Sequence, residues 1–392
     1  MLDQIKKLCT GKHPSRLMPF DDLYNGLMAR VQADRQTINV QYDGLNRRAL
    51  FNYSKECQFG RNWDEFTMIA RGLILDLHTK AVVATPFLKF FNYAEDDIVW
   101  VPSTKFTAYE KLDGSLGIFY RWQNTDDWWN GPWQVATRGS MFSDHSKTAS
   151  QMMSQMYRMD RINHLGGVTL LAEIIHPQHR IVIPYDQPRL VLLGGYHADG
   201  SEIGDHELDL ISAAIGFDRP EIYSVKTLED AKALVDTFPY DQEGFVIKYE
   251  NGYRVKIKGK EYCKVHKAIC DFSPLAVYDL FTEQGPDLDQ YKKALPEEFW
   301  DEFDSYLNEY ICRFDERVAA IRSAYANTEL LSKKEIALDK SLPDYVRKGV
   351  LEERSHGKYL VNVLTPGTTQ RRSFSEFFRP KGNIFQTVAV AE

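Results

Sequence analysis

A change of hydrophobic period near Tyr262 constrains this chain more than any other feature. Ahead of it, apolar residues fall in short runs separated by turn residues. Thr37-Ile38-Asn39-Val40-Gln41-Tyr42 alternates polar and apolar positions, the pattern of a half-buried strand. Residues 50–53, 68–77, 133–137, 168–175, 180–183 and 190–196 read as further strands, with helices over 21–28 and 227–238. Past Tyr262, Phe299, Phe303, Tyr306, Tyr310, Phe314, Val318 and Ile321 recur at three- and four-residue steps, the stripe of an amphipathic helix that packs as core. Residues 332–354 add further helical segments. A chain of 392 residues built this way is α+β, with a strand-rich amino-terminal part and a mainly α-helical carboxy-terminal domain.

Composition narrows the partners. A net charge of −7 argues against non-specific coating of nucleic acid but leaves room for a local basic groove. The five cysteines are scattered, without a Cys-x-x-Cys pair, which fits reduced thiols rather than a disulfide frame or a zinc site. Charges run through residues 1–20, so no signal peptide is expected, and no apolar run approaches the roughly 20 residues that cross a bilayer. The expectation is a soluble cytoplasmic protein, in the host cytoplasm if the chain is viral, with no membrane partner.

The chemistry gathers at Ala108-Tyr109-Glu110-Lys111-Leu112-Asp113-Gly114-Ser115. Asp-Gly between β-prone runs predicts a hairpin turning at Asp113-Gly114. Lys111 is then either a solvated hairpin lysine or a nucleophile beside a turn where backbone can approach a phosphate. Arg71 lies within the apolar run 68–77, where a charge needs either a core ion pair or an anionic ligand. Lys89 stands among aromatics in Phe87-Leu88-Lys89-Phe90-Phe91, a place where lysines also simply snorkel. Glu173 interrupts a buried-looking strand and must accept hydrogen bonds. Glu243 opens the strand 243–248, and Asn251-Gly252 turns it into Tyr253-Arg254-Val255-Lys256-Ile257-Lys258. Arg254, Lys256 and Lys258 share one face of that strand, either as a solvated edge or as the lining of a polyphosphate site. The tail, with Arg371, Arg372, Phe374, Phe377, Phe378, Arg379 and Lys381, either stacks bases or packs on its own domain. No phosphate loop of the Gly-x-x-x-x-Gly-Lys-Ser/Thr kind occurs.

Nucleotidyl transfer needs these parts. A lysine amine attacks an α-phosphate only when neutral, so its pKa must fall from about 10.4, and neighbouring cations and desolvation push it that way. The transition state and departing pyrophosphate gather negative charge that cations and a divalent metal offset.

Lys111-Leu112-Asp113-Gly114-Ser115, Ala172-Glu173-Ile174, Glu243-Gly244-Phe245-Val246 and Lys256-Ile257-Lys258, in that order, resemble four motifs of the covalent nucleotidyltransferases, which include DNA ligases, RNA ligases and capping enzymes. Arg71-Gly72, Lys89-Phe90-Phe91-Asn92, and Tyr262 with His266 resemble more narrowly the T-even bacteriophage RNA ligase 1 family of tRNA-repair ligases, over about residues 35–266. The resemblance implies a nucleotidyltransferase domain of antiparallel sheets flanked by helices over residues 1–266, and a helical domain over 267–392. It implies ATP and Mg²⁺ or Mn²⁺ as cofactors, with RNA 5′-phosphate and 3′-hydroxyl ends as substrates. A tRNA and an upstream polynucleotide kinase-phosphatase are the implied partners. By resemblance Lys111 takes AMP, and Arg71, Lys89, Phe91, Gly114, Arg138, Glu173, Lys256 and Lys258 bind ATP, while Glu243 serves the metal. Arg138-Gly139-Ser140 departs from the family's Lys-Gly-Ser, keeping a cation but changing its fork. A DNA ligase, or a non-catalytic protein that kept the fold, are the competing readings.

Overall fold

A computed structural model of the protein describes residues 2–93, 105–271, 273–283, 288, 291–292 and 300–380. The chain divides into two compact units, Met1–Cys263 and Lys264–Glu392.

The first unit holds three sheets. One is the meander β1 (Ile38–Tyr42), β2 (Arg48–Tyr53), β3 (Arg71–Asp76) and β4 (Ala81–Ala84). A second runs β10-β9-β7-β8, from β7 (Ser115–Arg121), β8 (Trp133–Thr137), β9 (Thr169–Ile175) and β10 (Arg189–Tyr196). The third runs β11-β6-β12-β13-β5, from β5 (Phe91–Asn92), β6 (Phe106–Glu110), β11 (Ile222–Tyr223), β12 (Gly244–Tyr249) and β13 (Arg254–Lys258). Among these described strands every pairing is antiparallel except the short one between β5 and β13.

Side-chain alternation fixes which face of the third sheet is core. Phe245, Ile247, Val255 and Ile257 point into a cluster closed by Ala231 and Val235 of the helix Leu228–Val235. Burying each such side chain contributes about 1.5–3 kcal/mol. The same alternation turns Lys256 and Lys258 to the opposite face. Because β13 lies between β12 and β5, these lysines do not decorate a solvated edge. Arg254 of that face is buried against Glu202, with Nη1 3.1 Å from Oε2, so it serves as an internal ion pair.

Three expectations fail here for local reasons. Residues 113–114 do not close a hairpin: β6 belongs to the third sheet and β7 to the second, so Lys111–Gly114 crosses between sheets. The run 68–77 is not one strand, because Asp64 and Thr67 form a capping box that starts the helix Glu65–Ile69. Residues 180–183 form no strand, since the N–H groups of Val182 and Ile183 donate to the Asp113 carboxylate instead of a neighbouring strand.

The second unit is helical. Phe303, Tyr310, Phe314, Val318 and Ile321 of the helix Trp300–Asn327 pack with Val277, Tyr278 and Phe281 of Pro274–Glu283 and with Val346 and Val350 of Asp344–His356. Phe299 and Lys381 lie outside the described residues. Arg371, Phe374 and Phe378 of the tail pack on this core, while Phe377 is 79% exposed. Arg371 is 7% exposed and donates to the Phe281 carbonyl at 2.9 Å, and Phe374 and Phe378 are buried. Arg372 is paired with Glu283.

Candidate active site

Strand register assembles the centre. The Lys111 N–H donates to the Gly244 carbonyl at 2.8 Å, continuing the β6–β12 pairing by one residue. Across β12, Gly244 pairs with Lys258 of β13. Lys111 and Lys258 thus flank Glu243, which immediately precedes β12. Glu243 is 3% exposed, and its two carboxylate oxygens are each 2.7 Å from one ammonium, Oε2 from Lys111 and Oε1 from Lys258. Burial would lower the Lys111 pKa, but Glu243, Glu173 and Asp113 outweigh it and hold the amine above its ordinary value. The expectation of a depressed lysine pKa at this position is therefore reversed in this arrangement: Glu243 keeps Lys111 charged.

Glu173 enters from the second sheet, the one residue of β9 that is not fully buried. It accepts the Gly114 N–H at 3.1 Å. Burial pushes its carboxyl up to about 7, against the pull of Lys111, with Glu243 adding to the rise. Gly114 is a matter of space rather than of φ: a Cβ there would stand 2.6 Å from the Ile174 carbonyl and 2.9 Å from Glu173 Cγ.

Four further cations lie around this pair. Lys256 is drawn down to about 7 by burial and by Lys89, Lys258, Lys111 and Arg71, and has no carboxylate partner among the described residues. Lys89 stands over the rings of Tyr53, Trp63 and Phe91, at 5.6, 5.0 and 4.9 Å. Phe91 itself is 2% exposed, so it acts on the site as the floor under Lys89. Arg71 lies over Phe90 at 4.8 Å, and its Nη1 is buried without a hydrogen-bond partner. The exposed Arg138 donates to the Tyr53 hydroxyl at 2.9 Å. Gly72, at φ +97°, lets β3 run beneath the Arg138 backbone, which a Cβ would approach to 3.2 Å.

The structure brings all ten sequence-derived residues together and adds others. Asp113, read from sequence only as a turn residue, accepts from Val182 N, Ile183 N and the Tyr262 hydroxyl, at 2.7, 2.8 and 2.7 Å. Its place in the Lys-Leu-Asp-Gly block was the available signal. Tyr53 and Trp63 gave none, because nothing in their spacing links them to Lys89. Among the described residues no cluster of three or more His, Cys, Asp or Glu could hold a metal. A lone carboxylate that adds nucleotide phosphate oxygens is nonetheless how Mg²⁺ is commonly bound, and Glu243 would enter such a donor set on releasing the ammonium groups it holds.

Comparison with known proteins finds similarity to RNA ligases over the span that holds these residues. The RNA ligase family model of the T4 RNA ligase 1 type matches residues 69–262, the span from the start of the Arg71 region to Tyr262. A protein of Autographa californica nuclear polyhedrosis virus named as a bifunctional polynucleotide kinase/RNA ligase is 28% identical, over 65% of this chain and 38% of its own length. An RNA ligase of Rhodothermus phage RM378 is 24% identical, over 61% of this chain and 68% of its own. The chain therefore spans well under half of the baculovirus relative. A solved archaeal ATP-dependent RNA ligase is 13% identical at a TM-score of 0.46, covering 77% of this chain and 83% of that one. No described helix is long and apolar enough to cross a membrane. The match to the RNA ligase family runs through residues 69–262, the span that carries Lys111, Glu173, Glu243, Lys256 and Lys258.

Proposed function

We propose that this chain is an ATP-dependent RNA ligase that joins 5′-phosphate and 3′-hydroxyl RNA ends. The observation that carries the reading is the row Lys111–Glu243–Lys258 beside Lys256, where cations outnumber the carboxylates that balance them. An excess of partly buried positive charge suits a ligand that brings phosphates.

The neutral Lys111 amine forms a P–N bond to the α-phosphorus of ATP, loses its proton, and the P–O bond to pyrophosphate breaks. Glu243 holds the amine charged, so the carboxylate must release Lys111 before attack. Mg²⁺ or Mn²⁺ on Glu243 would supply positive charge to offset that carboxylate and the phosphates. Lys256 and Lys258 bind the α-phosphate, Arg71, Lys89 and Arg138 meet the leaving phosphates, and Glu173 with Gly114 orients the ribose. An RNA 5′-phosphate oxygen then displaces Lys111 to give RNA-adenylate, and a 3′-hydroxyl oxygen displaces AMP.

The finer setting we infer is tRNA repair in the cytoplasm, after a polynucleotide kinase-phosphatase has prepared the ends. The combined kinase and ligase name of the baculovirus relative supports such a partner. The test is sealing of 5′-phosphorylated RNA with ATP, comparing a linear strand with a nicked anticodon stem-loop. Joining of neither substrate overturns the ligase reading, and equal joining of both overturns the tRNA assignment alone.

A further inference from the structure

The nucleophile segment is steadied by a loop, and that loop is tied to the helix Asp144–Met156. Asp113 Oδ2 accepts both N–H groups of Val182 and Ile183, at 2.7 and 2.8 Å. These donors end a stretch that leaves β9 through the short turn Pro177–His179, capped by His176, whose Nδ1 accepts the Gln178 N–H at 3.2 Å. Arg180 closes the stretch on itself by donating to the Val182 carbonyl at 3.0 and 2.8 Å. With no strand partner, the stretch depends on side chains for its position. His179 supplies the tie to the helix Asp144–Met156: its Nε2 shares a hydrogen bond with Thr148 Oγ1 at 2.9 Å. Its ring also lies against that of His145, with centroids 4.2 Å apart. Burial and the neighbouring His145 hold His179 below the ordinary histidine value, so the two rings pack without a like-charge penalty at neutral pH.

We propose that Thr148 and His179 are positioning residues for lysine adenylylation. A chain of contacts runs from Thr148 to His179, along the loop to the Val182 and Ile183 amides, and into Asp113. From there the backbone presents Gly114 to Glu173 and Lys111 to Glu243. Small displacements at a reacting centre cost rate rather than binding, so the tie is felt in the chemical step. This inference rests on the reading of Lys111 as the nucleophile. It concerns a histidine–threonine pair with no part in holding phosphate.

The test uses the full chain as wild type, Thr148→Val, Thr148→Ser and His179→Ala. Lysyl-AMP formation is followed at varied ATP, beside the unfolding midpoint and the sealing of pre-adenylylated RNA. Thr148→Val keeps the shape and removes the hydroxyl. It is expected to slow adenylylation at saturating ATP by roughly three- to tenfold, with the KM for ATP and the midpoint unchanged. Thr148→Ser is expected to restore the rate, and sealing of pre-adenylylated RNA should stay near wild type. A wild-type adenylylation rate in Thr148→Val overturns the proposal, including when RNA binding falls instead, since the pair would then be an RNA contact. A loss that only follows a lowered midpoint also overturns it. Absence of any adduct on the wild type defeats the ligase reading itself, and so is distinguishable from failure of the tie.

Discussion

Both units of the protein set cations over aromatic rings, and they use the arrangement for opposite ends. In the second unit Arg371 lies over Phe281 and Phe314, at 4.4 and 4.5 Å, and its guanidinium is satisfied by the carbonyls of Phe281, Val363 and Leu364. That arginine is a structural strut. In the first unit Lys89 stands over three rings, and burial together with Lys89, Lys258, Lys111 and Arg71 draws Lys256 down to about 7. A cation over a ring is the same contact in both places. An excess of cations over the carboxylates that pair with them, Glu243 holding two lysines at once, distinguishes a site from a strut.

The largest effect that sharpens this contrast is at the nucleophile. Lys111→Ala should abolish the AMP adduct and the sealing of 5′-phosphorylated RNA, yet still seal RNA supplied already adenylylated. Loss of that last activity would mean the lysine also serves the site in later steps.

Next come the lysines of β13. Lys256→Ala and Lys258→Ala should each slow adenylylation more than about tenfold, as expected when a charged contact worth more than about 1.4 kcal/mol is removed. Arg371→Met should leave adenylylation unchanged while costing about 2 kcal/mol of stability, measured by denaturant unfolding. If the two regions exchanged these phenotypes, the contrast between them would collapse.

A smaller effect carries a sign. The unfolded chain keeps the Lys256 proton to about 10.5, whereas the folded chain releases it above about 7. Between those values the unfolded state binds more protons, so wild-type stability rises with pH there. Lys256→Met should therefore be more stable than wild type at pH 7, by about 1 kcal/mol, with the gap narrowing toward pH 10. A gap that widens with pH would show that Lys256 is not destabilised by its neighbours.

Local signals made much of this readable. Alternation and turn residues located most of the strands, because those patterns act over a few positions. Arg71 and Lys89 stood out because each sat in apolar surroundings, and Lys111 because it precedes Asp113-Gly114. The row Lys111–Gly244–Lys258 was only half readable: Asn251-Gly252 announced the hairpin that pairs Gly244 with Lys258, but the pairing of Lys111 with Gly244 joins segments more than a hundred positions apart. One long-range pairing caused two of the misreadings. Asp113 binds the Val182 and Ile183 amides, which removes Asp113 from turn chemistry and removes residues 180–183 from strand pairing. In the tail, interleaved arginine and phenylalanine left packing and nucleic-acid contact open, and burial assigns Arg371, Phe374 and Phe378 to packing.

The central claim is that Lys111 is the atom-donating centre of a covalent nucleotidyl transfer. It is tested most directly by incubating the full chain with ATP labelled at the α-phosphate and Mg²⁺, denaturing it, and mapping the label by peptide. The account predicts an acid-labile phosphoramidate confined to the peptide bearing Lys111 and missing from Lys111→Ala. Label on another lysine, or none on the active protein, would contradict it.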